Sequence, residues 1–306
     1  MTTDALLLSI AMAVAAGLVG CFAVMRRMAL AADALSHVAL PGIGVALALQ
    51  IHPLVGAIAM LFFGALLVWA LEERTRAATE TVIGVVFSAA LAVGTLMTSG
   101  EELIDALFGG PGVLSVPEAV FGAAAAITIV VFIITHRNSL IVTLVSPDVA
   151  RTAGINVRRL NLLYLEMFAL TIALGLRYLG VLLMGALIII PAATAKRLAT
   201  NLNGMLCVAV GVAVVATTIG TWLASVLQRE TGPLIVSVAA GAFLVSLFAG
   251  TSDHAHPEER HETFDRFTAS YPARRLDQDQ MSKSGAPSGV AHSLARLQSP
   301  PSHAES

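Results

Sequence analysis

Met28-Ala-Leu-Ala-Ala-Asp33-Ala-Leu-Ser-His37-Val-Ala-Leu-Pro41-Gly-Ile-Gly44 is apolar enough to lie in a membrane, yet it carries a carboxylate and an imidazole. A carboxylate at bilayer depth costs about 2.5–3.5 kcal/mol on insertion scales, so an ionisable residue there marks a functional position. Asp33 and His37 stand at i and i+4. That spacing puts both side chains on one helix face, with Cβ atoms about 5–6 Å apart. A carboxylate oxygen and an imidazole nitrogen are a donor set suited to zinc, manganese or ferrous iron. Pro41 has no N–H for the His37 carbonyl, so the helix is expected to loosen one turn beyond the histidine. The stretch reads as a place where a metal ion passes through a membrane. The blander alternative is a pair of polar groups bonded to a neighbouring helix, a job that a single Asn or Ser would do at lower cost.

Composition sets the same frame. The 306 residues are 57% hydrophobic and 12% charged, against about 25% charged in an ordinary soluble domain. This is the balance of an integral membrane protein. A net charge of −2 points to no nucleic-acid partner. Cys21 and Cys207 both lie in apolar runs without metal-ligand spacing and are expected in the core. Met1-Thr-Thr-Asp4 lacks the basic flank of a cleaved signal, so the first apolar run is expected to be retained.

Runs of spanning length, about 17–25 residues, fall at roughly 5–25, 29–50, 54–71, 81–98, 118–135, 162–176, 179–195, 205–227 and 232–250. The expected fold is an all-α polytopic transmembrane bundle of eight or nine helices over residues 1–250. The 162–176 run is short and is either tilted or joined to its neighbour through Arg177-Tyr178. Nine helices with the N-terminus outside place Arg26-Arg27, Arg74 and Arg76, Arg137 through Arg159, and Lys196-Arg197 on the cytoplasmic side. Only Arg177 and Arg229 then fall outside, a positive-inside pattern that puts the C-terminus in the cytoplasm. With Arg26-Arg27 at the interface, Asp33 lies roughly 10 Å and His37 roughly 16 Å into the bilayer. Half a hydrocarbon core is about 15 Å, so the pair flanks the midplane, where transport sites sit.

The connecting stretches carry further signals. Residues 99–117 form an outer loop whose Glu101, Glu102 and Asp105 either attract cations or solvate a short helix before Gly109-Gly110. Residues 136–161 read as the longest internal cytoplasmic segment. Within it lies a complete short helix, with Ser146 as N-cap, Pro147 at the first position, Asp148 at the positive dipole end and Gly154 as the left-handed stop. A rigid helix of about two turns parallel to the membrane suits a motor protein's grip, and a plain surface helix is the alternative. Glu166 is expected to snorkel back to the cytoplasmic interface. Pro191, in Leu187-Ile-Ile-Ile-Pro191-Ala-Ala-Thr-Ala195, leaves the Leu187 carbonyl without its donor and reads as a hinge, a gate or a static kink. From Thr251 to Ser306 hydrophobicity collapses into a tail expected to be disordered and cytoplasmic. Its Asp253, His254, His256, Glu258, Glu259, His261 and Glu262 serve either metal buffering or plain solvation.

At Asp33-Ala-Leu-Ser-His-Val-Ala-Leu-Pro-Gly42 the chain resembles the membrane permeases of bacterial ABC importers for zinc, manganese and iron. Leu107-Phe108-Gly109, Asp148-Val-Ala150-Arg-Thr-Ala-Gly154-Ile-Asn-Val157 and the Pro191 segment resemble that family's outer pre-helix motif, coupling helix and late proline-alanine segment, in the same order. The resemblance runs from about residue 10 to 250. It implies a homodimer in the bacterial cytoplasmic membrane that docks a separate cytoplasmic ATP-binding subunit and receives metal from an extracytoplasmic binding protein. It also implies that Asp33 and His37 hold the passing ion and that Asp148, Ala150 and Gly154 belong to the coupling segment. No enzyme activity and no cofactor beyond the transported ion are expected. The Pro-Ala-Ala-Thr-Ala-Lys-Arg run and the histidine-bearing tail look nearest the zinc-uptake members, while the tail exceeds the family's usual short C-terminus.

Two rival readings remain. A proton-coupled metal carrier would use Asp33 and His37 as a relay and need no ATPase, leaving the capped 146–154 helix without a task. An intramembrane metalloprotease would need a pattern such as H-E-x-x-H, which the chain lacks. It also lacks a G-x-x-x-x-G-K-[ST] phosphate loop, so ATP hydrolysis would have to come from a partner.

Overall fold

Long apolar runs separated by tight turns leave the backbone one solution in lipid, the α-helix, because each run must satisfy its own hydrogen bonds. The computed structural model describes residues 3–29, 31–75, 78–97, 116–178, 181–229 and 231–249. In chain order its helices are α1 (Thr3–Met25), α2 (Ala31–Ala48), α3 (Pro53–Thr75), α4 (Thr79–Met97), α5 (Val116–Val145), α6 (Pro147–Thr152), α7 (Val157–Tyr178), α8 (Val181–Leu198), α9 (Leu202–Leu227) and α10 (Thr231–Ala249). Among the described residues there is no strand. Seven of the helices, α1 to α5 with α9 and α10, are long and apolar enough to cross a membrane. The protein is an all-α polytopic membrane bundle.

The chain divides into two units, Met1–Thr251 and Ser252–Ser306. The tail with its histidines lies outside the described residues, as do Glu101, Glu102, Asp105 and Leu107-Phe108-Gly109 of the outer loop.

The bundle is assembled around α1, which packs against α8, α9, α5 and α7. Its alanines and glycines let neighbours come close, and Met12, Val19, Cys21 and Phe22 are fully buried. In lipid no hydrophobic force draws helices together, so small residues that permit close van der Waals contact decide which faces meet. The tightest example joins α2 to α3. A Cβ on Gly42 would lie 2.2 Å from the Gly56 carbonyl oxygen, and one on Gly56 would lie 2.1 Å from that of Gly42. Only glycine fits at either position.

At one end of the bundle the polar side chains find each other. Arg26 Nη1, in the α1–α2 turn, donates to Asn161 Oδ1 on α7. Arg158 pairs with Glu73 at the end of α3 at 2.8 Å, and its carbonyl accepts from Trp69 Nε1 at 3.1 Å. Arg137 donates to Asn203 at the start of α9 at 2.9 Å, and Thr79 donates to Glu72 at 2.8 Å. Arg26 and Arg151 line one cavity there with Glu72, Glu73, Thr79 and Asn161.

The expectation that Cys207 lies in the core is corrected, and three other readings gain detail. The fifth apolar run, to about residue 135, lies in a longer helix: α5 runs for 30 residues to Val145. No glycine or proline occurs between Ala123 and Val145, so nothing ends the helix before Ser146-Pro147. Cys207 is exposed while Cys21 is buried, because the buried stripe of α9 runs through Met205, Leu206, Ala209 and Ala213. Helix α2 stays continuous through Pro41. Gly94 of α4 leaves room there, with a Cβ on it only 3.2 Å from Pro41 Cδ. Glu166 is half-buried, with its Oε2 buried and without a hydrogen bond. It lies five residues, or about 7.5 Å of helix rise, beyond Asn161.

Candidate functional site

The approach to α2 is a tight reversal. Arg27 takes φ 60°, the Met28 N–H donates to the Ala23 carbonyl at 2.8 Å, and Ala31 N–H to Met28 at 3.0 Å. Asp33 therefore falls in the first turn of α2, where unpaired N–H groups favour a negative charge. Ser36 Oγ donates to the Asp33 carbonyl at 2.5 Å, turning the serine inward and leaving the carboxylate free of it.

Burial then separates the two faces of α2. Ala31, Ala32, Leu35, Ser36, Val38 and Ala39 are buried, mostly against α3 and α4. Asp33 is exposed and His37 half-buried, on one strip with Ala34 and Val45. The His37 ring lies 5.6 Å from that of Phe87 on α4, inclined at 53°, so α4 flanks the imidazole on one side. On the other side α8 presents Gly185, where a Cβ would sit 3.8 Å from the Asp33 nitrogen. The structure thus brings Asp33 and His37 to one open strip. Among the described residues no group of three or more His, Cys, Asp or Glu gathers that could hold a metal ion.

The short helix α6 forms as its capping residues dictate. Ser146 has extended geometry (φ −152°, ψ 102°) and accepts from Val149 N–H at 3.4 Å, with Pro147 at the first position. Asp148 pairs with Arg151 at 3.0 Å. Gly154 takes φ +78°, and Ile155 N–H closes the end on the Ala150 carbonyl at 2.9 Å. Ala150 is the buried residue of α6, whereas Asp148, Val149 and Arg151 are exposed. Pro191 lies inside a continuous α8, with Ala192 and Ala195 fully buried beside it.

A second polar cluster escaped sequence reasoning. The Arg26 guanidinium carbon lies 4.4 Å from the centre of the Tyr164 ring, besides its bond to Asn161. Tyr164 is fully buried and donates to the Val19 carbonyl at 3.2 Å. Burial draws the Arg26 pKa below its ordinary value, opposed by Tyr164 and Glu72. Below Arg26 opens a cavity of about 350 Å³, lined among others by Glu72, Thr143, Pro147, Arg151 and Asn161. The available signal was Asn161 and Tyr164 at i, i+3 on a helix, facing an arginine assigned only to the interface.

Comparison with known proteins places these features in a family setting. Residues 1–250 match the model of the family described as "ABC 3 transport family". The high-affinity zinc uptake system membrane protein ZnuB of Haemophilus influenzae is 31% identical over 250 residues, covering 80% of this chain and 95% of that one. The manganese import system permease protein ScaB of Streptococcus parasanguinis is 29% identical over 249 residues, covering 80% and 89%. Among solved structures, PsaBC from Streptococcus pneumoniae in complex with Fab superposes with a TM-score of 0.69 at 26% identity, covering 86% of this chain and 94% of that one.

Proposed function

The chain belongs to the ABC 3 transport family, and on that premise we propose that it is the membrane permease subunit of an importer for a divalent transition metal. It is a transport subunit and not an enzyme. Zinc leads over manganese and iron, and the ion is cargo rather than a resident cofactor. The importer lies in the bacterial cytoplasmic membrane, with eight or nine spans, the N-terminus outside and the basic end of the bundle in the cytoplasm. A cytoplasmic ATP-binding subunit drives it and an extracytoplasmic protein delivers the ion.

The observation that carries this reading is the open strip of α2. Its inner faces are packed, yet an exposed carboxylate and a half-buried imidazole share the outward side. Facing acyl chains there would be costly. A second copy of the chain, related by a two-fold axis, would turn the strip into the wall of a central passage. Two Asp and two His would then supply four ligands where one chain offers two. The sidedness is supported by the polar contacts of Arg26, Arg137 and Arg158 at one end of the bundle. On that side α6, with its exposed Asp148 and Arg151, is the segment on which the ATP-binding subunit acts, and Pro41 and Pro191 mark where α2 and α8 bend as the passage opens.

The test replaces the ligands one at a time in the assembled importer. Asp33→Asn and His37→Ala each abolish uptake of radioactive zinc into cells while the complex still copurifies with its ATP-binding subunit. Normal uptake by both variants would overturn the site. Growth of a strain lacking this chain, rescued under chelation by zinc, manganese or iron singly, identifies the cargo.

A further inference from the structure

The α1–α2 turn is bound to α7 more firmly than its length requires. Arg26 is desolvated, stacks on Tyr164 and bonds to Asn161. Tyr164 in turn is anchored to Val19 of α1 by its hydroxyl. A half-buried guanidinium that loses its acceptor is left poorly solvated, so α7 and this turn tend to stay joined when either moves.

Both ends of that bond lead to a functional element by short, closed connections. On one side α6 meets α7 through Gly154, with Ile155 N–H bonded to Ala150 and Arg159 N–H capped by Asn156 Oδ1 at 3.1 Å. Asn161 then lies in the second turn of α7. On the other side the reversal through Arg27 and Met28 leads to Ala31, and Asp33 follows in the first turn of α2. The cavity beneath Arg26 is lined by Pro147 and Arg151 of α6 as well as by Arg26 and Asn161. Open space thus separates α6 from the turn, and the bonded route between them runs through Asn161.

We propose that Arg26, held by Asn161 and Tyr164, is the positioning residue that transmits movement of the ATPase-contacting helix α6 to the metal-ligand helix α2. It touches neither the ion nor the nucleotide. The proposal rests on the functional reading above, in which α6 meets the ATP-binding subunit and Asp33 meets the ion. Coupling between sites runs through packed and hydrogen-bonded groups that shift together, and this is such a chain: α6, the Gly154 turn, Asn161, Arg26, the Met28 turn and Asp33.

The experiment uses the complete importer in liposomes, with zinc as the transported ion, and measures zinc uptake and ATP hydrolysis in the same preparation. Asn161→Leu removes the acceptor, and Asn161→Asp keeps one. In Asn161→Leu and Arg26→Gln, zinc moved per ATP falls at least tenfold while hydrolysis stays within twofold of the unaltered complex. The double variant is no worse than either single one, and Asn161→Asp keeps the ratio near normal. A merely structural role would lower uptake, hydrolysis and melting temperature together in Asn161→Leu, and that result would overturn the link. So would unchanged zinc per ATP in both Asn161→Leu and Arg26→Gln. If the unaltered complex moves no zinc, manganese or iron at all, the functional reading itself fails, whichever way the ratio falls.

Discussion

The open strip at Asp33 and His37 and the cluster at Arg26, Asn161 and Tyr164 are two polar regions of an apolar molecule that the structure treats oppositely. At Arg26 the charge has a bonded acceptor and a ring face, while Glu72 Oε2 and Thr143 Oγ1 in the same cavity lining have no hydrogen-bond partner. At Asp33 the serine one turn along bonds the backbone and not the carboxylate, and the side chain is exposed. A charge with its partners in place holds helices together; an exposed one is open to a ligand. On the proposed function, the contrast separates polar groups kept for architecture from those kept for transport.

The sharpest way to break that contrast is at the open strip. Asp33→Asn lowers metal uptake at least a thousandfold, about 4 kcal/mol in transition-state terms, yet shifts the melting temperature in detergent by no more than about 2 °C. A large thermal shift there would place Asp33 with the structural cluster. Next comes the helix contact that fixes the strip's orientation. Gly42→Leu drives a side chain into the Gly56 carbonyl and destabilises the bundle by about 3 kcal/mol, seen as a lower melting temperature of the purified complex. At the cluster, Arg26→Met leaves the Asn161 acceptor unpaired and costs about 2 kcal/mol of stability. Arg26→Lys recovers only part of that loss, since an ammonium cannot lie flat on the Tyr164 ring as a guanidinium does. The smallest effects fall on α6. Ser146→Ala and Gly154→Ala each cost about 1 kcal/mol locally and weaken binding of the ATP-binding subunit several-fold, measured by copurification at limiting concentration.

The sequence made the open strip legible for the same reason that it hid the cluster. Asp33 and His37 lie four residues apart in one helix, so periodicity alone brings them together. Arg26 and Asn161 are 135 positions apart, and their meeting depends on how α1 packs against α7. The capped helix α6 was readable residue by residue, because caps are local chemistry, and Ser146, Pro147 and Gly154 take the expected geometry. Helix ends were less legible than apolar runs. His136-Arg137-Asn138 close the apolar run, but a polar residue does not stop a helix as proline does, and α5 carries on to Val145. Pro41 lies inside α2, where Gly94 of α4 leaves room.

The unbroken course of α5 has a geometrical result. Thirty residues make a rod of about 45 Å, and a hydrocarbon core is about 30 Å thick. On the proposed function, that surplus would carry α6 clear of the lipid like a jetty, where a nucleotide-driven partner would dock in open water without pressing on headgroups.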